Sequence, residues 1–399
     1  MMDSSFEGRS PVSLIPRLAA PITCLTIVGL GIGLSIPLLT FEMEAAGITS
    51  SWIGANTAIP SLAAILLAPL APKLAGLIGT SNLILAALLV AAVSLAMFLL
   101  PWPFWMWFPL RFVFGAAIYY IFVISEFWIN ASIDDSRRGF VLGIYATILA
   151  MGFASGPLIL TMARPGTAMP YLVGIAIFIL GMIPILIWRK LAPEIKVQKN
   201  TNIFRFFWTS PTSALAAFTF GALETGTFAL LSIYALRHGF SVADAAFALA
   251  MTALGSVFFQ IPLGLVADRI DRRLVLIFCA IAGLTGTLLL PYAMNTALLF
   301  PMLVMWGGII VGLYTVGLAH LGARFSGEDL LSANSLFIFL YALGSLISPV
   351  LIGQGMDIWD PEGYIGVTTM FISLFLVVAI MRWMRNPRIL RPAKTRDTA

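Results

Sequence analysis

The chain has 399 residues, 60% of them apolar and only 10% charged, with a mean hydropathy of +0.99. Soluble domains hold about 45–50% apolar and about 25% charged residues, so a water-soluble globule is excluded. The net charge of +5 is spread over several loops and tails, so it gives no basis for binding nucleic acid.

A bilayer core of ~30 Å calls for about 20 apolar residues of helix, and such runs recur along the whole chain. In chain order they predict membrane helices over 18–40, 52–71, 81–100, 107–129, 139–162, 171–188, 208–236, 244–263, 274–294, 297–319, 331–352 and 363–383. The first run is too long for a signal-peptide core and is expected to persist as the first span. The most polar stretch holds Arg189, Lys190, Glu194, Lys196 and Lys199 and reads as a linker over 189–207. It divides a bundle over 18–188 from a second over 208–383, with tails 1–17 and 384–399. The expected fold class is all-α and integral to the membrane, twelve helices in two six-helix bundles.

Orientation follows from Lys and Arg, which concentrate in cytoplasmic loops. With the N-terminus inside, 20 of the 23 fall on the cytoplasmic side, only Arg164 and Arg237 lie outside, and Arg111 sits within a span. Both termini are thus expected in the cytoplasm, and the acids Glu42 and Glu44 at the outer end of helix one in water. Cys24 and Cys279 fall inside spans, which leaves no disulfide framework or zinc spacing.

The halves resemble each other. Gly152-Phe-Ala-Ser-Gly156-Pro157 in helix five aligns with Gly344-Ser-Leu-Ile-Ser-Pro349 in helix eleven at an offset of 192, and the same offset pairs Gly115 with Gly307. Such a parallel repeat is a recurring transporter architecture.

Few polar side chains remain for chemistry. Glu224 is the one acid near the centre of an otherwise apolar span. A carboxyl withdrawn from water resists ionisation, which suits it to exchange protons near neutral pH; the alternative is a neutral acid satisfied by a neighbouring helix. Glu126 and Asn130 lie four apart on one face of helix four, where they either line the pathway or make a structural contact near its cytoplasmic end. Arg111 is either a buried cation or one within snorkelling reach of the outer interface. Tyr119, Tyr120, Trp128, Trp306 and Tyr314 offer amphipathic rings in helices four and ten for a flat, partly polar solute; interfacial anchoring is the bland alternative. His320 near the inner end of helix ten either titrates or hydrogen-bonds at the interface. No metal site, nucleophile-base pair or ATPase phosphate loop is visible, so an enzyme is not expected and active transport would draw on a gradient.

The tract Gln260-Ile-Pro-Leu-Gly264-Leu-Val-Ala-Asp268-Arg269-Ile-Asp-Arg272-Arg273 follows helix eight. Its pattern G-x-x-A-D-R-x-D-R-R resembles the loop signature of the major facilitator superfamily, whose members rock two six-helix halves. Gly264 is expected to let helices approach closely, Asp268 and Arg269 to make a tight reversal in the interfacial water, and Arg272 and Arg273 to fix that reversal on the cytoplasmic side. The resemblance implies a cytoplasmic gate in which Asp268 faces the start of helix five near Arg137, Arg138 and Gly139. In the first-half counterpart, Ala68-Pro69-Leu70-Ala71-Pro72-Lys73, proline replaces the acid, so the reciprocal lock near Ser332 and Ala333 should be weaker. Arg111-Phe-Val-Phe-Gly115 resembles the family's R-x-x-x-G signature, which implies an Arg that tunes proton release from a nearby carboxyl. Gly143, Gly152, Gly156 and Pro157 resemble the helix-five signature of drug-proton antiporters as packing and pivot positions, although Leu160 and Thr161 stand where that signature has paired glycines. Over nearly its whole length the chain is similar to the bacterial branch that includes YcaD-type transporters.

The resemblance implies a secondary transporter of the bacterial inner membrane, a monomer without cofactor whose partners are a small organic solute, protons and the lipid bilayer. Uptake of an aromatic heterocycle such as riboflavin is one expectation. Drug or metabolite efflux in exchange for protons is another, and a receptor or assembly factor that keeps the fold without transport is the reading from a different class.

Overall fold

The computed structural model of the chain describes residues 15–132, 138–163, 165–193, 204–325 and 327–385. Long helices account for nearly all of them: α1 Ile15–Ala45, α2 Ser50–Leu67, α3 Thr80–Met97, α4 Trp107–Ser132, α5 Arg138–Met162, α6 Met169–Trp188, α7 Pro211–Arg237, α8 Val242–Arg269, α9 Arg272–Ala293, α10 Leu299–Gly322, α11 Gly327–Ile358 and α12 Gly363–Arg385. Eleven of these spans are long and apolar enough to cross a membrane, and α5 supplies a further apolar segment, Thr147–Met162. Among the described residues there is no strand, as lipid requires of a chain that must satisfy its backbone within each span.

Several helices run past the apolar stretches that mark them in the sequence. α1 continues to Ala45 and α11 starts at Gly327, because polar residues at the interface end a hydropathy window without ending a helix. α2 continues through a 3-10 turn, Ala68–Leu70, into a short helix, Ala71–Ile78. The C-terminal part of the expected linker is also ordered: Arg205–Thr209 forms a helical turn whose Phe206 is buried and whose Arg205 pairs with Asp329 of α11.

The packing repeats between halves. α1 packs on α5 as α7 packs on α11, α2 on α4 as α8 on α10, and α3 on α4 and α6 as α9 on α10 and α12. Lipid tails are as apolar as leucine, so helices in a bilayer associate through close approach of small residues rather than by escape from water. Gly152 and Gly156 supply that approach in α5. A Cβ at Gly156 would lie 2.3 Å from the backbone carbon of Gly33 in α1, and one at Gly344 would lie 2.0 Å from the Phe218 carbonyl of α7. Gly115 faces Pro60 of α2, and its counterpart Gly307 faces Thr252 of α8. Pro157 and Pro349 lie inside α5 and α11. The two bundles meet where α2 runs along α11 and α5 along α8, again a symmetric pair of contacts.

One end of the bundle carries Arg269, Arg272, Arg273, Arg324 and Arg382 and is called the basic face below; the opposite face carries Glu42, Glu44, Asp244, Asp357, Asp360 and Glu362. At the basic face Asp271 caps α9 through the Arg273 amide at 3.0 Å and pairs with the Arg273 guanidinium at 2.8 Å. Burial alone would push this carboxyl up, but the Arg273 contacts outweigh it and hold the group below the usual carboxylate range. Arg272 donates to the Ala319 carbonyl at the end of α10, a favourable place for a cation.

Candidate functional site

Glu224 sits near the middle of α7, a helix buried over most of its length. Its carboxylate accepts the hydroxyl of Tyr341 from α11, yet the residue stays partly accessible. It keeps this partial accessibility on a helix most of whose other residues are buried.

Three rings gather beside it. Phe220, one turn earlier in α7, stacks on Tyr341 at 6.0 Å and tilts against Tyr314 of α10 at 5.4 Å, while Tyr314 and Tyr341 lie 5.9 Å apart. The carboxylates of Glu224 and of Glu126 in α4 both act electrostatically on the Tyr314 phenol. Glu126 acts on Tyr119 as well. Helices α4, α7, α10 and α11 therefore turn their ionisable and phenolic groups toward one region. Tyr341 could not be picked out beforehand, because its relation to Glu224 depends on the register between α7 and α11. Gly221 fixes that register: a Cβ there would lie 2.1 Å from the Tyr341 carbonyl.

The other residues singled out in the sequence divide. Tyr119 and Tyr120 are partly buried and 5.8 Å apart, but the Tyr120 hydroxyl turns to the Leu67 carbonyl of α2. Asn130 donates its amide to the Glu126 carbonyl, a contact within its own helix. Trp128 is fully buried. Trp306 points into its own bundle, its indole N–H shared between the Gly283 carbonyl and Thr287 at 3.0 Å each. Neither tryptophan lines accessible space, which corrects the expectation of a wider aromatic cavity: the Trp306 indole finds its partners within its own bundle, and Trp128 is packed among apolar neighbours with no partner for its N–H among the described residues. Arg111 does not snorkel; it is fully enclosed in the N-terminal bundle, and among the described residues none of its guanidinium nitrogens has a hydrogen-bond partner. His320 is buried in the last turn of α10.

At the basic face Asp268 is 67% exposed and pairs with Arg272 of its own loop. Arg137, opposite which it was expected, lies outside the described residues, as do the side chains of Arg138, Gly139 and Gly143. Arg269 is exposed. Among the described residues Gly264 does not mediate a close approach, since a Cβ there would meet no atom within 4 Å.

The opposite face is sealed in two layers. Just beyond Glu224, Phe228 of α7 packs edge-to-face on Phe153 of α5 at 5.6 Å, flanked by Ala154 and Ala253. Farther out, Asp357 of α11 accepts the Ser50 and Ser51 amides at the start of α2, at 2.9 and 3.0 Å. An anion is thus set against the positive end of a helix dipole in the other bundle. α2 and α11 touch closely here, for a Cβ on Gly54 would lie 1.9 Å from the Pro349 carbonyl oxygen. Arg237 pairs with Glu44 of α1 at 3.2 Å, donates to Ser50 at 2.8 Å and reaches Asp360. Glu42 accepts the Gly166 amide at 2.7 Å. Glu42 and Glu44, expected as solvated charges, are instead structural contacts. The available signal was that Arg237, one of two cations at that face, stands among acids.

With the geometry in hand, the relatives can be placed beside it. The family model described as Major Facilitator Superfamily matches residues 22–253 and 213–398. The chain belongs to the major facilitator superfamily. It is a transporter of that superfamily, similar to the uncharacterized MFS-type transporter YfkF of Bacillus subtilis, at 25% identity over 94% of this chain and 96% of the relative. It is also 27% identical to the uncharacterized MFS-type transporter YcaD of Escherichia fergusonii, over 76% of this chain and 79% of that one. Among solved structures, the nucleoside transporter NupG superposes with a TM-score of 0.73 at 15% identity, over 92% of this chain and 99% of NupG. A bacterial homolog of the human lysosomal transporter Spinster, in an inward-facing and unoccupied conformation, gives 0.71 at 16% identity, over 95% and 97%. At such identities these likenesses speak for the fold alone.

Proposed function

We propose that this chain moves a small, ring-bearing organic solute across the bacterial inner membrane by alternating access and couples the movement to protons through Glu224. The basic face is assigned to the cytoplasm, with both termini there, because cytoplasmic loops hold the positive charge. The division at the linker into bundles over 18–188 and 208–383 supplies the two rocking bodies. The observation that carries the reading is Glu224 itself: a carboxylate at mid-depth, held by Tyr341, partly accessible, beneath a layer closed by Phe153 and Phe228.

Because the opposite face is sealed above Glu224, its access runs toward the cytoplasm. A carrier in that state takes up or releases solute and proton inside, then closes the basic face and parts α2 from α11 to expose the same group outside. Phe220, Tyr314 and Tyr341 offer the ring contacts for the solute, and Glu126 stands nearer the cytoplasmic end of the same route. Reconstituted protein with a pH-sensitive dye inside the vesicles tests this. Solute added to one side should drive proton movement in the wild type and none with Glu224→Gln. Equal proton movement in a folded Glu224→Gln protein would overturn the assignment.

A further inference from the structure

We infer that the N-terminal bundle holds a small monovalent inorganic anion, of which chloride is the type, enclosed between Arg111 of α4 and Asn56 of α2. The inference stands apart from the carrier reading above. Its position follows from how α2 and α4 run together. Trp52 meets Phe108 at 6.0 Å between ring centroids, a Cβ on Gly115 would lie 2.5 Å from the Cα of Pro60, and the Tyr120 hydroxyl donates to the Leu67 carbonyl at 3.4 Å. Residue numbers rise together along the two helices, so they are parallel, and Arg111 stands level with Asn56. Each lies four residues before the contact of Gly115 with Pro60, and so on the face its helix turns to the other.

A charge without a counter-charge stands there. Arg111 and Asn56 are both 0% exposed, and among the described residues neither the guanidinium nitrogens nor the amide atoms of Asn56 have a hydrogen-bond partner. Ser35 of α1 is buried and its hydroxyl likewise unpartnered. It lies one turn beyond Gly31, on the side of α1 where a Cβ at Gly31 would meet Phe178 of α6 and Ile118 of α4. The Tyr171 phenol of α6 acts electrostatically on Arg111. The acids of this bundle are engaged elsewhere: Glu42 accepts the Gly166 amide at 2.7 Å and Glu44 pairs with Arg237. Glu126 lies fifteen residues further along α4, about 22 Å away at the helical rise.

A desolvated guanidinium is costly without an opposite charge, and its N–H groups can only donate. Water would satisfy those donors and leave the charge. An anion of one negative charge satisfies the donors and cancels it, and the Asn56 amide and Ser35 hydroxyl supply further donors. The ligand is small because the site lies inside packed core, with Leu38, Leu110 and Phe114 buried around this level. Toward the acidic face the site is covered by Trp52, whose ring lies 5.0–6.3 Å from those of Phe104, Trp105 and Phe108. Keeping bulk water out strengthens a charge-assisted contact beneath that cover.

The test uses purified full-length protein in lipid nanodiscs, exchanged into gluconate, an anion too large for the site, and titrated with chloride-36. The wild type should bind chloride saturably, at about one per chain, and should unfold at a higher temperature in chloride than in gluconate of equal ionic strength. Arg111→Met should abolish the saturable binding and unfold at the same temperature in both salts. Asn56→Leu keeps the cation and much of the side-chain volume, and should weaken chloride binding about tenfold, the loss of one hydrogen bond to a charged group. Absence of saturable binding in the wild type, or equal affinity in Arg111→Met, overturns the inference. An equal thermal response to chloride in all three proteins is a general salt effect and overturns it as well. Should Arg111→Met fail to fold, Asn56→Leu decides, and an affinity unchanged from wild type rules the site out.

Discussion

The two bundles share a packing plan and treat their buried charge in contrasting ways. In the N-terminal bundle Arg111 lies on α4 one turn before Gly115, which is pressed against Pro60 of α2, and the guanidinium is enclosed with no hydrogen-bond partner. In the C-terminal bundle Glu224 lies on α7, where Gly221 is pressed against α11, and its carboxylate keeps both a partner in Tyr341 and a measure of accessibility. Glycine contacts of the same kind thus border a fully enclosed charge in one bundle and a partly accessible one in the other. An ionisable residue in a span is a functional candidate by default, and the proposed route for solute and proton runs past the one that stays accessible.

The sharpest way to break this comparison is to sever the contact between Glu224 and Tyr341. Tyr341→Phe removes a hydrogen bond to a charged group, which contributes about 1.5–3 kcal/mol, so solute binding should weaken about tenfold or more. In a double-mutant cycle with Glu224→Gln the two effects should be strongly non-additive. Additive losses would mean that the phenol and the carboxylate act apart.

Next in size is the seal at the opposite face. Asp357→Asn removes a carboxylate from the start of α2; loss of such a cap costs about 0.5–2 kcal/mol. The equilibrium should shift toward an open opposite face by about twofold to thirtyfold. Spin labels at Ala45 and Ile358, both exposed and on different bundles, should show a larger long-distance population. An unchanged distance distribution would make the cap incidental to closure. Smallest is the effect expected at Arg111. Being outside the central region, Arg111→Met should leave solute affinity within about twofold, the usual coupling between separated sites, as measured by equilibrium binding. A tenfold loss would mean that the N-terminal charge reaches the solute after all.

The fold was legible because lipid leaves the chain few choices: apolar runs of the right length become helices, and positive loops lie at one face. The repeat was legible for a related reason, since Gly152, Gly344, Gly115 and Gly307 are retained where backbones touch. Glu224 stood out as a lone acid in a span, but Tyr341 did not, because its significance arises from a register between distant helices. Trp306 and Trp128 misled, since a tryptophan reads alike whether its indole faces a cavity or the Gly283 carbonyl. Gly264 misled too, since a glycine reads alike whether or not a neighbouring helix touches it, and here a Cβ would meet open space among the described residues. Asp357 went unremarked, and the contacts of Glu44 and Arg237 were not foreseen, because charges at helix ends read as solvated and only the meeting of α1, α2, α7 and α11 joins them.

The central claim is that Glu224 is reached from the basic face and shut off from the other. A cysteine in its place tests this most directly, because Cys24 and Cys279 are both buried and leave a quiet background. Membrane-impermeant thiol reagents should label Glu224→Cys readily in inside-out vesicles and far more slowly in right-side-out ones. Labelling that is equal from the two sides, or absent from both, would contradict the claim.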